Sequence, residues 1–134
     1  VDLYLDDSGR DLRALEYIHR HKTGALFEAA ARLGVRLGGG AEELEELASA
    51  YARNLGLAFQ IKDDLLDVTG TEEELGKDVG QDSEHATFVG RLGLAESEEI
   101  MHRLLDTARE AASGAPVTSS LLTELCDYVG TRTQ

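Results

Sequence analysis

The sequence predicts an all-α protein, and three observations carry that prediction. Long tracts rich in Ala, Leu, Glu and Arg run between a few glycine breakers, a composition that favours helix over sheet. Pro116 is the only proline. No run alternates apolar and polar residues with period two over a useful length. Phe27, Phe59, Phe88 and four tyrosines are the only aromatic residues and tryptophan is absent, so the core has to be Leu, Ala and Val. At 134 residues and 42% apolar content, the chain has the length of one domain and enough apolar material for a core.

The elements follow in order. Asp6-Asp7-Ser8-Gly9-Arg10 reads as a turn. Asp11 can cap a helix running to about Val35, ended by Gly38-Gly39-Gly40. A long helix spans about Ala41 to about Val68, with Glu42 and Glu43 near its positive end and Thr69-Gly70 as its stop. Thr71 to Asp82, with Gly76 and Gly80, is polar and reads as a loop. Thr87 to Leu92 can form a short helical segment. Ser97 to Ala112 is amphipathic, with Ile100, Leu104, Leu105 and Ala108 on one side. Ser113-Gly114-Ala115-Pro116 breaks it, and a last helix runs from Ser119 or Ser120 to about Val129.

Charge narrows the function. Twenty-six acids against 13 bases give a net charge of −13, which repels nucleic acid and anionic lipid. The acidic blocks at Glu42–Glu46, Glu72–Glu74 and Glu96–Glu99 read most simply as solvated faces. Cys126 is alone, so neither a disulfide framework nor a Cys-based metal site is available. No run approaches the ~18 apolar residues of a membrane span and no signal peptide is visible; a cytoplasmic protein without membrane insertion is expected. Val1-Asp2-Leu3-Tyr4-Leu5 opens in mid-pattern without an initiator Met. The chain is therefore expected to be the later portion of a larger protein.

Two stretches place charge where helices want apolar residues. On the long helix, Gln60, Asp63, Asp64 and Asp67 fall in one sector roughly 100° wide, with Gly56 one turn below, leaving room. Leu44, Leu47, Tyr51, Leu55, Ala58, Leu65 and Leu66 lie opposite, while Leu57, Phe59 and Ile61 fill the flanks. Apolar residues on both sides of the acids imply that they line an internal cleft. Three carboxylates repel one another, and a hard divalent cation relieves them; oxygen-only ligands point to Mg²⁺. The plainer reading is an acidic helix end. Lys62 projects to the apolar back, where it either snorkels or meets an acid on a neighbour.

On the first helix, Leu15, Ile18, Leu26, Ala29 and Leu33 form an apolar line with Lys22 at its centre. An unpartnered lysine there would be pushed towards neutrality. Either it is a snorkelling or salt-bridged structural residue, or it points into the cavity of the acids and holds an anion with Thr23 as donor. His19 and His21, two apart, face different directions and do not make a helical metal pair.

These residues together resemble the trans-isoprenyl diphosphate synthases. His19-Arg20-His21-Lys22-Thr23-Gly24-Ala25-Leu26 is similar to their Lys-Thr helix. The run from Gly56 to Gly70, followed by Leu75-Gly76-Lys77, is similar to their second aspartate-rich motif and its trailing Gly-Lys; bacterial farnesyl diphosphate synthases are the nearest subgroup. The resemblance covers essentially the whole chain, in order. It implies the C-terminal part of a single-domain isoprenoid synthase bundle, homodimeric when intact. It further implies a Mg²⁺-dependent condensation of an allylic diphosphate with isopentenyl diphosphate. By resemblance, Asp63, Asp64 and Asp67 are metal ligands, Lys22 and Lys77 hold the allylic diphosphate, and Thr23 and Gln60 flank the reacting carbons. Phe59 and His85 join the substrate-binding set, His85 standing where a lysine is customary.

The departures matter. The family's first aspartate-rich motif, its chain-length determinants and its isopentenyl-binding basic residues belong upstream of Val1. The segment after Asp82 is about two residues shorter than the family's usual length. A longer-chain synthase and a catalytically inactive partner subunit are the competing readings within the fold. Outside it, a helical acidic interaction module without ligand is the alternative.

Overall fold

The computed structural model describes residues 23–75, 88–115 and 120–134. Five helices fill these segments: α1 (Ala25–Leu37), α2 (Glu42–Leu75), α3 (Phe88–Leu92), α4 (Leu94–Gly114) and α5 (Leu121–Thr131). No strand occurs among the described residues, as the composition predicts. At 1.5 Å per residue, α2 is about 50 Å long, and α1, α3, α4 and α5 all pack against it. Among the described elements, α1 touches α2 alone.

The turn between α1 and α2 is built by its glycines. Gly39 has φ +77°, a left-handed conformation that costs a glycine nothing. The Gly40 N–H reaches back to the Val35 carbonyl at 2.9 Å and the Gly39 N–H to that of Arg36 at 3.1 Å. This pairing is a Schellman end, which satisfies carbonyls the helix would leave open. α2 then starts with Glu42, Glu43 and Glu45 in its first turn, where the helix dipole favours them.

α2 does not stop at Thr69-Gly70, and residues 71–75 are helix rather than loop. The Thr69 hydroxyl donates to the Leu65 carbonyl at 2.9 Å, so its polar group is satisfied inside the helix instead of competing with it. Gly70 costs about 1 kcal/mol in a helix interior, and the good helix formers of Glu72 to Leu75 carry the chain on. The rest of the expected loop, 76–82, lies outside the described residues.

The core sits on the back of α2. Tyr51, Leu55, Ala58, Ile61 and Leu65 bury against Phe88 of α3, Met101, Leu105 and Ala108 of α4, and Cys126 and Val129 of α5. Met101 takes the centre of the α4 face, with Ile100 and Leu104 at its flank. Ile61, expected at the edge of the acids, is fully buried in this core. The Tyr51 hydroxyl donates to the Leu122 carbonyl at 2.7 Å, tying α2 to the start of α5, and burial pushes its phenol above its ordinary range.

α1 meets α2 through Gly24, Phe27, Ala31 and Val35, not through the predicted line of Leu26, Ala29 and Leu33, which is exposed. The contact depends on Gly56. A Cβ there would stand 3.2 Å from Phe27 Cγ, so the space beside the acids is filled by the Phe27 ring rather than left open. Polar clasps flank it. Arg32 and Arg36 hold Glu45 at 3.2 and 3.0 Å, and the Ser49 hydroxyl donates to Glu28 at 2.9 Å. The hydrogen bond from Arg36, with help from Arg32, keeps the Glu45 carboxyl below its usual range.

Gly56→Ala tests the contact. Overpacking costs about 1–3 kcal/mol, while the gain in helix propensity returns about 1. A net loss on the order of 1 kcal/mol is expected in urea titrations, with Phe27→Leu in the same chain recovering part of it.

Candidate functional site

The face of α2 opposite the core carries the acids. Gln60, Asp63 and Asp64 are half-buried and Asp67 is exposed. Their spacing on one regular helix puts them on one face, as the sequence predicts. The face lies at the surface of the described residues rather than inside a cleft, since the Asp63 side chain is 45% exposed. The large apolar groove, about 750 Å³, is lined by Leu26, Ala31, Leu44, Tyr51, Leu55 and Leu122 among others, and by no residue of the acid face.

Each acid has a distinct setting. The Asp64 carboxylate accepts the backbone N–H of Phe88 at 3.3 Å, which places the first residue of α3 beside it. Burial pushes the Asp64 carboxyl up to about 6; the Phe88 N–H works against the rise, and the charges of Asp67 and Asp63 add to it. Asp63 is held by Arg132, whose side chain is only 8% exposed. The Arg132 guanidinium also donates to the Phe59 carbonyl at 3.3 Å and lies 4.3 Å from the centre of the Phe59 ring. The other face of this cluster is Phe27, whose ring is 5.8 Å from that of Phe59, tilted by 48°. Phe59, expected to meet substrate, is thus engaged by Phe27 and Arg132.

The back-face lysine is resolved differently from either expectation. Lys62 Nζ donates to the Gly130 carbonyl at 3.1 Å. It caps the C-terminal turn of α5, where the helix dipole favours a cation, rather than snorkelling or pairing with an acid.

Of the other expected site residues, Thr23 is half-buried in a wide, π-type turn leading into α1. Lys22, Lys77 and His85 lie outside the described residues. Arg132 escapes the sequence reading altogether. It sits 69 residues from Asp63, and no local spacing rule connects the two.

Among the described residues, no three acidic, His or Cys side chains converge into a cage for an ion. The donor chemistry nonetheless fits a hard cation. Three carboxylates share a face, and burial disfavours the charge of Asp64, with the charges of Asp67 and Asp63 adding to it. Mg²⁺ dehydrates reluctantly and is bound through one or two carboxylates plus substrate phosphates. Asp63, Asp64 and Asp67 are the residues that could hold it in that manner.

Solved structures with the same architecture identify the class. The heptaprenyl diphosphate synthase of Staphylococcus aureus superposes with a TM-score of 0.81 at 22% identity, over 96% of this chain and 52% of that one. A geranyltransferase from Helicobacter pylori, complexed with magnesium and isoprenyl diphosphate, superposes with a TM-score of 0.70 at 31% identity, over 92% of this chain and 41% of that one. The fold is that of the all-α isoprenyl diphosphate synthases. The chain belongs to the polyprenyl synthetase family, whose model matches residues 1–119. It is 44% identical to geranylgeranyl pyrophosphate synthase 10, mitochondrial, of Arabidopsis thaliana, over 94% of this chain and 38% of that protein. It is likewise 44% identical to a dimethylallyltranstransferase of Fischerella ambigua, over 92% of this chain and 36% of that protein. The chain thus spans little more than a third of the length of these relatives.

The Asp64 setting gives a pH signature. Its folded value of about 6 exceeds the ordinary 3.8, so the folded state binds the proton more tightly than the unfolded one. In the absence of divalent metal, its contribution disfavours folding above pH 6, and the penalty is relieved as pH falls towards 4. Asp64→Asn should raise stability at pH 7 by on the order of 1 kcal/mol after allowance for solvent screening. It should also flatten the pH dependence of the melting temperature between pH 4 and 6. Calorimetric melts across that range check both.

Proposed function

We propose that the intact protein is a trans-prenyltransferase that condenses an allylic diphosphate with isopentenyl diphosphate and releases diphosphate. The acid face carries the reading: Asp63, Asp64 and Asp67 stand on one side of a helix in a chain of the polyprenyl synthetase family. Bound Mg²⁺ would stabilise the charge that develops on the departing diphosphate. The chain's own residues bind and orient. Asp63, Asp64 and Asp67 would anchor the metal, while Lys22 and Lys77 would hold the diphosphate oxygens. Thr23 and Gln60 would lie against the reacting end and His85 would join the substrate contacts, with Phe59, held between Phe27 and Arg132, backing them. Metal also explains how a chain of net charge −13 takes an anionic substrate.

The product is a short-chain prenyl diphosphate. The motif run favours farnesyl diphosphate, whereas the names of the relatives, geranylgeranyl pyrophosphate synthases among them, favour geranylgeranyl diphosphate as the second reading. A homodimeric intact protein and action in the cytoplasm belong to the same proposal and rest on the family resemblance. So does the expectation that these 134 residues alone are inactive, since by resemblance one carboxylate cluster cannot organise the metal set that two clusters hold.

The test is isopentenyl transfer by the intact protein with dimethylallyl or geranyl diphosphate, with products identified by mass spectrometry. Activity should vanish with EDTA and return with Mg²⁺. Asp63→Ala and Lys22→Ala should each lower turnover about a hundredfold or more, the equivalent of several kcal/mol of lost charge stabilisation, with little change in melting temperature. Activity unaffected by EDTA would overturn the reading. Loss of fold by Lys22→Ala, with normal specific activity in the soluble remainder, would make Lys22 structural.

A further inference from the structure

Arg132 is the C-terminal boundary residue of α5, and its N–H is bonded to the Tyr128 carbonyl. Its position is therefore set by the seating of α5, which Cys126 and Val129 bury against the core. Lys62 of α2 fixes the same end by capping Gly130. The guanidinium is then held through both terminal nitrogens and one face. Nη1 donates to the Gln134 carbonyl at 3.1 Å, Nη2 to both the Phe59 carbonyl and Asp63 Oδ1, and the Phe59 ring lies beneath. Its Nε is buried without a partner among the described residues. That desolvation cost is offset only where the remaining hydrogen bonds are well formed, which favours the geometry that keeps all of them.

Phe59 and Asp63 are one turn apart on α2. One nitrogen bridging the carbonyl of the first and the carboxylate of the second removes the rotamer freedom that a half-exposed aspartate on a helix would keep. Oδ1 is committed to Arg132, which fixes the orientation of the whole carboxylate. The fixed positive charge also offsets part of the repulsion among Asp63, Asp64 and Asp67. A group that merely blocked the acid would need to swing away when metal arrived; a guanidinium pinned by two carbonyls and a ring does not.

We propose that Arg132 is a positioning residue: the end of α5 holds the Asp63 carboxylate in the orientation in which it would bind Mg²⁺–diphosphate. This rests on the reading of Asp63 as a metal ligand. Partners that orient metal ligands typically contribute 10- to 100-fold to affinity, and the guanidinium fork does what an ammonium cannot.

The experiment is calorimetric titration of the intact protein with Mg²⁺ in the presence of inorganic diphosphate, for wild type, Asp63→Ala, Arg132→Ala and Arg132→Lys. Arg132→Ala should weaken Mg²⁺ binding about tenfold or more, and Arg132→Lys should recover part of the loss. In turnover assays the Mg²⁺ concentration at half-maximal rate should rise, with kcat at saturating Mg²⁺ largely kept. Binding by Arg132→Ala equal to or tighter than wild type would overturn the positioning role. If Arg132→Ala does not fold, Arg132→Lys decides, a loss of about threefold supporting the proposal and wild-type affinity overturning it. A wild type that binds no Mg²⁺–diphosphate overturns the assignment of Asp63 and this proposal together. Weakening by Asp63→Ala without weakening by either Arg132 variant overturns the positioning alone.

Discussion

One helix has to be apolar enough on its back to organise a core while its front carries three carboxylates, and the described residues are arranged around that conflict. Tyr51, Leu55, Ala58, Ile61 and Leu65 repeat along α2 at helical spacing and draw α4, α5 and Phe88 onto one side. Burial of that line dominates the folding energetics, because each large side chain removed from water contributes roughly 1.5–3 kcal/mol. The acids opposite contribute nothing comparable. Asp64 opposes folding while it is charged. The front of α2 can be unfavourable only because the back fixes the helix.

The basic residues near the acids divide two tasks between neighbouring helices. α2 gives α5 a cation through Lys62, and α5 gives α2 a cation through Arg132. Each lands on a group that needs positive charge: a terminal carbonyl of α5 in one direction, the Asp63 carboxylate in the other. The exchange fixes the axial register of the two helices more sharply than apolar packing does, since sliding one along the other would break both contacts at once.

Much of this is written in the sequence, and the remainder is absent for identifiable reasons. Helix boundaries set by glycine turns were legible at Gly38–Gly40, where the φ of Gly39 and the two back-bonded amides form a self-contained local motif. The boundary at Thr69-Gly70 was misleading, because whether a threonine hydroxyl turns inward to the Leu65 carbonyl is decided by its side-chain torsion and not by its identity. The acid face followed from periodicity alone. The space beside Gly56 did not, since a missing side chain looks the same whether a ligand or the Phe27 ring fills it. The line of Leu26, Ala29 and Leu33 was correctly read as apolar, but it is not the face that meets α2. α1 is apolar on more than one side, and periodicity cannot rank two faces. Lys62 and Arg132 find partners 68 and 69 residues away, a separation at which a single sequence holds no spacing signal.

The isolation of α1 has a kinetic meaning. Among the described elements it leans on α2 only, through the Phe27 contact and the clasps at Glu28 and Glu45, and none of its residues is fully enclosed. An element attached along one seam can detach without disturbing the core behind α2, so its amides exchange with solvent by a local opening far cheaper than global unfolding. The helix that carries Thr23 at its entrance is thus, among the described elements, the one with the least to hold it in place. That side of the molecule can open while Asp63 and Asp64 stay where α2 holds them.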